Sequence, residues 1–433
     1  MQHIQGISRH QLQMSSLEDK ITADNPVRFI DAFVNHIDAV KIGFQPKILK
    51  TEGRPNFRLE VFLKLYLYGY LNGVRSSRRL EKECFRNIEV QWLLEAIYPN
   101  YHSIADFRKD NPKALKQLFK LFVSFLKDAE LIAGDTIAID GTKSRAHNSK
   151  KANYNQKKID KHKAYIDAKS QEYLDQLEQN DIQENPVAIK NIQQKIERLK
   201  QNKIKYELLE EELKNSGEPQ ISTTDADARA LLVQGQVVEV SYNIQAAVDS
   251  KHNLVVATHT INRNDKNALA AIALEVKENL ALETFTVLVD KGYHNGRELH
   301  TCKQNNITTI VAVPEQGKSN ENGTQPEYLV SKFIYNKENN SYTCPEGKTL
   351  TTTGSWHKKT GRTEESGYNF QKYRTPACKT CLVKDLCTSR NGGREIDRSQ
   401  YADAVEENHQ RYKDNPQLYR KRQEINEHIF GTI

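Results

Sequence analysis

The hydrophobic positions divide the chain into stretches of different character. Residues 1–130 read as helical. Over 57–73 the apolar side chains Val61, Phe62, Leu65, Tyr66, Leu67, Tyr68 and Leu71 are dense enough for a buried helix. Ser76 and Ser77 are expected to cap a basic helix beginning Arg78-Arg79, and Ser103 to open another, because serine oxygens satisfy orphan amides of a first turn. Further helices are expected at 89–97, 103–109 and 112–129. Together they predict a bundle with a helix-turn-helix flavour, open both to DNA contact and to a plain packing role.

At residue 135 the pattern changes. Asp135-Thr-Ile-Ala-Ile-Asp140-Gly141 is a short β-branched run, read as a buried strand over 136–140 whose last side chain emerges at the sheet edge. Residues 150–215 are rich in Lys, Glu, Gln and Asn. There Ile192, Leu199, Tyr206 and Leu213 recur at sevens, Ile189 and Ile196 fill alternate seam positions, and Lys203 breaks the second row. With an earlier helix over 151–177 and a break at 179–186, this predicts an antiparallel helical hairpin. Strands are expected at 237–242, 244–248 and 254–261, with a turn at 249–253, and a helix at 267–279. Residues 285–290 repeat the strand-acid-glycine frame, ending in Asp290-Lys291-Gly292-Tyr293. One more strand, 307–313, precedes a Gly/Asn/Thr-rich stretch carrying cysteines, then a helical C-terminal segment.

Composition sharpens this picture. A length of 433 residues allows two to four domains. The net charge is +7, and residues 141–165 hold eight basic side chains against one acid, so the rest of the chain balances at 55 against 55. The excess is therefore one local tract, suited to an acidic partner such as a nucleic acid. No apolar run approaches the roughly 18–20 residues of a membrane span, and the N-terminus lacks the apolar core of a signal peptide. Six cysteines in this length do not make a disulfide scaffold. A cytoplasmic, reducing location is expected.

Three constellations carry candidate chemistry. Asp140 and Asp290 each follow a buried run and precede glycine. Carboxylates gathered at strand ends repel, and Mg²⁺ offsets that repulsion while binding phosphate oxygens. Two such ions can activate a nucleophile and stabilise a leaving oxygen in phosphodiester chemistry. A solvated turn aspartate is the alternative for either residue alone. A third acid, Glu427, lies on a C-terminal helix candidate with Tyr419 and Arg422, residue types that contact sugar and phosphate. Cys344, Cys378, Cys381 and Cys387 can close a tetrahedral structural zinc site, with His357 as a substitute ligand; otherwise they are free thiols. Cys84 and Cys302 read as single packed or surface thiols. Lys143 and Arg145, directly after Asp140, are candidate phosphate contacts, whereas 157–163 reads equally as a solvated helix face.

The order Asp140-Gly-Thr-Lys, Asp290-Lys-Gly-Tyr, then Tyr419, Arg422 and Glu427-His-x-Phe-Gly resembles the DDE transposases of bacterial insertion sequences, in the branch with an Asp-Gly-Thr first motif and a cysteine-bearing insertion. The segments starting at Leu65, Ser103, Thr224 and Tyr242 match the same family; Asp225, Asp227 and Asp249 in them are not expected to be ligands. The resemblance implies an α/β protein with a ribonuclease H-like core, split by insertions. Its parts would be a helical N-terminal domain (1–130), core segments (131–150 and 219–315), the charged hairpin (151–218), a zinc-ribbon-like insertion (316–400) and the catalytic helix (401–433). It also implies Asp140, Asp290 and Glu427 as a triad holding two Mg²⁺, double-stranded DNA as substrate, strand cleavage and transfer at transposon ends, and a homodimer on DNA in the nucleoid. Related chains continue with Lys or Arg after the position of Ile433, so a shortened last helix is expected. A DNA-binding transposase without catalysis and a metal-dependent nuclease without strand transfer are the competing readings.

Overall fold

The computed structural model describes residues 8, 10–12, 14–45, 55–146, 150–182, 186–233, 237–314, 324–361 and 367–431. The chain forms two compact units, residues 1–125 and 126–433.

The first unit is helical: α1 (Pro26–His36), α2 (Leu59–Leu71), α3 (Ser77–Arg86), α4 (Ile88–Leu93), α5 (Tyr101–Asp110) and α6 (Pro112–Asp128), the last crossing the unit boundary. Helix α2 is buried on nearly all sides, and Val61, Leu63 and Leu65 join Leu80, Val90, Leu93 and Ile104 in one core. Its buried Lys64 is matched by Asp31 at 2.5 Å. The capping expectations need correction. Ser76 takes the N-cap position of α3 but makes no side-chain cap bond. Helix α5 starts at Tyr101 and is capped by Asn100, whose Oδ1 accepts from the Ser103 amide. Asparagine caps as well as serine, so the earlier polar residue takes the role.

The second unit is built on a mixed six-stranded sheet. Strands β1 (Thr136–Arg145), β4 (Arg229–Val233), β5 (Val237–Asp249), β6 (Val255–Ile261), β7 (Phe285–Val289) and β8 (Ile307–Val311) are ordered β4-β5-β1-β7-β8, with β6 also paired to β5. Strand β1 is antiparallel to β5 and parallel to β7, and β7 is parallel to β8. Helix α9 (Leu269–Asn279) packs on β5 and β6. Helix α10 (Gly296–Gln304) returns the chain to β8, and α12 (Ala402–Asp414) covers that edge strand. The buried Asn408 of α12 exchanges two 3.0 Å hydrogen bonds with the Val311 backbone, removing an open sheet edge. Helix α13 (Pro416–Phe430) lies on the face formed by Ala138, Val248, Leu288 and Ile310, with Ile425 inserted among them.

Between β1 and β4 the short pair β2 (Asn153–Tyr154) and β3 (Ile221–Ser222) brackets the hairpin of α7 (Gln156–Ile182) and α8 (Pro186–Ser216). Ile159 and Ile166 of α7 are buried, as are Ile192, Leu209 and Leu213 of α8. Lys203, which interrupts the apolar seam, pairs with Asp167 of the other helix at 2.6 Å. Residues 183–185 of the expected break lie outside the described residues.

The cysteine-bearing segment contains two small sheets, β9 (Ile334–Asn336), β10 (Ser341–Thr343) and β11 (Thr349–Thr351), then β12 (Trp356–Lys359), β13 (Tyr368–Tyr373) and β14 (Ile396–Ser399), with α11 (Lys384–Cys387) between the last two. Buried Arg398 ties them to α12. It donates to Tyr342 Oη at 2.9 Å, pairs with Asp403 and Glu406, and stacks 3.6 Å from the Tyr335 ring centroid. Arg398→Ala is expected to cost about 2–3 kcal/mol in urea unfolding, from charged hydrogen bonds and lost packing. The two acids left behind are half exposed and rehydrate, so a larger loss would require a different cause.

Candidate active site at the β1–β7 strand ends

Strand β1 does not stop at Asp140 as the apolar run suggested. It continues to Arg145 because β5 pairs with it residue for residue, Asp140 opposite Ala246 and Arg145 opposite Ser241. Asp140 thus projects from within a strand. Asp290 directly follows β7, the parallel neighbour of β1, and its Oδ1 accepts from the Gly292 amide at 2.7 Å. Burial is the main cause that raises the Asp140 carboxyl above its usual range; the Gly141 amide and Arg422 oppose it, and the charges of Asp290 and Asp265 add to it. The two sequence-predicted aspartates are therefore electrostatic neighbours, each a hard oxygen donor.

Helix α13 delivers Arg422 to this place. Its Nη1 meets Asp140 Oδ2 at 3.1 Å, and its guanidinium lies 5.8 Å from the Tyr419 ring centroid. Burial raises the Tyr419 phenol, Arg422 lowers it, and Asp290 is among the charges acting on it. Arg422 Nε and both amide atoms of Asn426, one turn on along the same face, are buried without a hydrogen-bond partner among the described residues. These orphaned polar atoms sit on the face that carries the contact to Asp140.

Glu427 is placed differently. It is exposed. Five residues from Arg422 amount to roughly 500° of rotation and 7.5 Å of rise, which turns it off the inward face. Arg422, Asp290 and Asp265 are charges that act on Asp140. Among the described residues no group of three or more His, Cys, Asp or Glu side chains is arranged to hold a metal ion. The triad expected from the sequence is thus not a closed protein cage; Mg²⁺ characteristically keeps waters and takes substrate phosphate oxygens as ligands.

Asp265, which sequence reasoning did not single out, supports the site from the opposite face of β1. It accepts from Asn243 Nδ2 at 2.7 Å, Gln245 Nε2 at 3.0 Å and Lys143 Nζ at 3.1 Å. Gln245 in turn accepts from the buried Tyr293 hydroxyl. A Cβ on Gly141 would meet Gln245 Nε2 at 2.2 Å and Asp265 Oδ1 at 3.0 Å, so glycine follows Asp140 because this network occupies the space. The usable signal was the pair of amides Asn243 and Gln245, on one face of strand β5, because buried amides need partners.

At least half of the basic tract is answered within the protein. Lys143 pairs with Asp265, Arg145 with Glu239, and Lys163 with Glu210 at 2.9 Å. Lys158 donates to the carbonyls of Lys150, Lys151 and Asn153. The expectation of a phosphate-facing run therefore needs correcting for Lys143, which is mostly covered; Arg145 remains largely exposed.

Cys344, Cys378, Cys381 and Cys387 all line one cavity of about 30 Å³ in the last third of the chain. All six cysteines of the protein are free thiols. Burial raises the Cys387 thiol, Arg394 lowers it, and the other three cysteines raise it further, so the four sulfurs lie within electrostatic reach. His357 is not among the residues around this cavity; it packs on Phe370 instead. Cys84 and Cys302 are buried singly.

Two family descriptions match the chain. Residues 15–110 match a transposase domain (DUF772), and residues 343–433 match a transposase DDE domain. No curated protein and no solved structure matches it. With a transposase domain towards each end, the chain is a transposase. The second domain makes it a DDE transposase of the insertion-sequence type. Transposases act on DNA, and DDE domains generally use a divalent metal, typically Mg²⁺. Tyr419, Arg422, Glu427 and the four clustered cysteines fall inside the second match, whereas Asp140 and Asp290 lie between the two. Among the described residues no helix is long and apolar enough to cross a membrane.

Proposed function

We propose that the chain cleaves DNA at the ends of a mobile element and joins the freed ends to target DNA, with Asp140, Asp290 and Glu427 as the metal-holding carboxylates of a ribonuclease H-like core. The observation that carries this reading is the pair Asp140 and Asp290 on adjacent parallel strands. The strand order β6-β5-β1-β7-β8, with the first three antiparallel and the last three parallel, supports the fold assignment.

Bound Mg²⁺ would supply an activated water and stabilise the leaving 3′-oxygen. The chain's own residues do the rest. Asp140 and Asp290 would hold the metal, and Arg422, which now pairs with Asp140, would exchange that carboxylate for a phosphate oxygen. Tyr419 packs beside Arg422 and limits its swing. Lys143, Asn243 and Gln245 fix Asp265, which braces the loop holding Asp290. Arg145 reaches the DNA backbone. Two protomers act together, because two ends are processed.

A supercoiled plasmid carrying the element's ends, incubated with protein and Mg²⁺, tests the reading. Joined products are expected; binding without any cleavage would leave a DNA-binding protein, and cuts without joining a nuclease. The four cysteines are not arranged around a metal as they stand; their donor set and shared cavity support the proposal that they close into a structural Cys₄ zinc site when the metal binds. Metal analysis of protein purified without chelators is expected to find about one zinc per chain, and a zinc-free, fully folded protein would sink that part.

A further inference from the structure

The cysteine-bearing segment holds a second cavity, of about 560 Å³, which the chemistry above does not use. That size lies within the range of ligand pockets, roughly 300–1,000 Å³. Thr352, Ser355 and His357 line it, with Lys372 and Arg374 on the other side, and none of the described residues around it is acidic. Beneath it the mostly buried Glu395 receives three cations: Lys372 Nζ at 3.1 Å, Arg390 Nη1 at 2.8 Å and Arg374. Burial pushes the Glu395 carboxyl up, but contacts from Arg390, Lys372 and Arg374 outweigh that and hold it at about 2, so it stays a single fixed anion at neutral pH. Three cations on one carboxylate make a net positive cluster, and two of them, Lys372 and Arg374, line the cavity. Both arginines remain more than half exposed, so their free edges face solvent. Strand β12 beside the cavity is exposed; Lys359 shares the face of His357, whereas Trp356 and Lys358 lie on the other face. Hydroxyl, guanidinium and ammonium groups around one open cavity match the chemistry of a backbone phosphate.

We propose that this cavity takes a phosphate of the DNA backbone, making the cysteine-bearing segment a second DNA contact apart from the carboxylate site. The inference rests on the transposase reading. Opposite charges introduced at one exposed position test it. Ser355→Glu places an anion in the cavity mouth, and Ser355→Lys places a cation there, neither touching the Glu395 network. The readout is fluorescence anisotropy of a labelled duplex with the full chain, titrated with salt and without added Mg²⁺. Ser355→Glu is expected to weaken binding about tenfold and to lower the slope of log K against log salt by about one, while Ser355→Lys tightens it. A structural disturbance would move both variants the same way. Wild-type binding with both variants within twofold of it and unchanged in slope would overturn the proposal and leave the transposase reading intact. No salt-dependent duplex binding by the wild type would overturn both.

Discussion

Asp140→Asn is expected to lower strand cleavage by roughly 10³-fold or more, equivalent to about 4 kcal/mol of transition-state stabilisation. Its effect on the fold should be small, because relief of the buried charge is offset by loss of the pair with Arg422. The two halves of this expectation come from one fact. Burial raises the Asp140 carboxyl, so ionised Asp140 is disfavoured in the folded protein. The sign follows from linkage: a carboxyl raised in the native state contributes fully at pH below its unfolded value near 3.9, and that contribution is lost as pH rises through the folded value. An amide imitates the neutral form at every pH. Arg422 and the Gly141 amide already favour the ionised form, and a bound cation would favour it further. The measurement is a paired one, thermal unfolding without metal and cleavage with Mg²⁺. A variant that lost stability along with activity would point to a packing role for Asp140. A variant that kept cleavage would remove it from the chemistry.

Element types were legible in the chain where burial set the pattern, and illegible where the site did. The apolar runs at 136–140 and 285–290 read correctly as strands, and the heptad-like positions of α8 as one arm of a hairpin. The misreadings gather around the candidate site. Strand β1 was cut at Asp140 because Gly141-Thr142-Lys143-Ser144-Arg145 is polar; its strand form comes from pairing with β5, a partner some hundred residues away. Strand β5 was split at Asn243 because that buried amide breaks the apolar run, yet it is there to hold Asp265. Local pattern fails where a function overrides it. Charge counting misses the pairing for a related reason. The excess in residues 141–165 is real, but the acids that answer Lys143, Arg145 and Lys163 are Asp265, Glu239 and Glu210, distant in sequence and invisible to a window.

The identity of the third carboxylate gives the second large effect. Glu427→Gln is expected to reduce cleavage by about 10²-fold or more without changing stability. Exposed positions away from special features shift unfolding by only about 0.5 kcal/mol, so any loss is a loss of chemistry. Asp265→Asn is expected to behave otherwise. Its carboxylate accepts from Lys143, Asn243 and Gln245, and an amide there turns donors against donors while leaving a half-buried ammonium unpaired. That should cost about 2–3 kcal/mol of stability together with activity. Unfolding and cleavage measured on both variants separate the roles. If Glu427→Gln keeps wild-type cleavage, the helix-borne acid is not a ligand, and Asp265 is the nearest remaining acid to Asp140 and Asp290. If it loses cleavage and keeps its fold, the end of α13 must turn Glu427 towards the sheet when metal and DNA are bound. Arg422 would then leave Asp140 as the same helix moves, so Arg422→Ala should weaken DNA engagement more than metal binding.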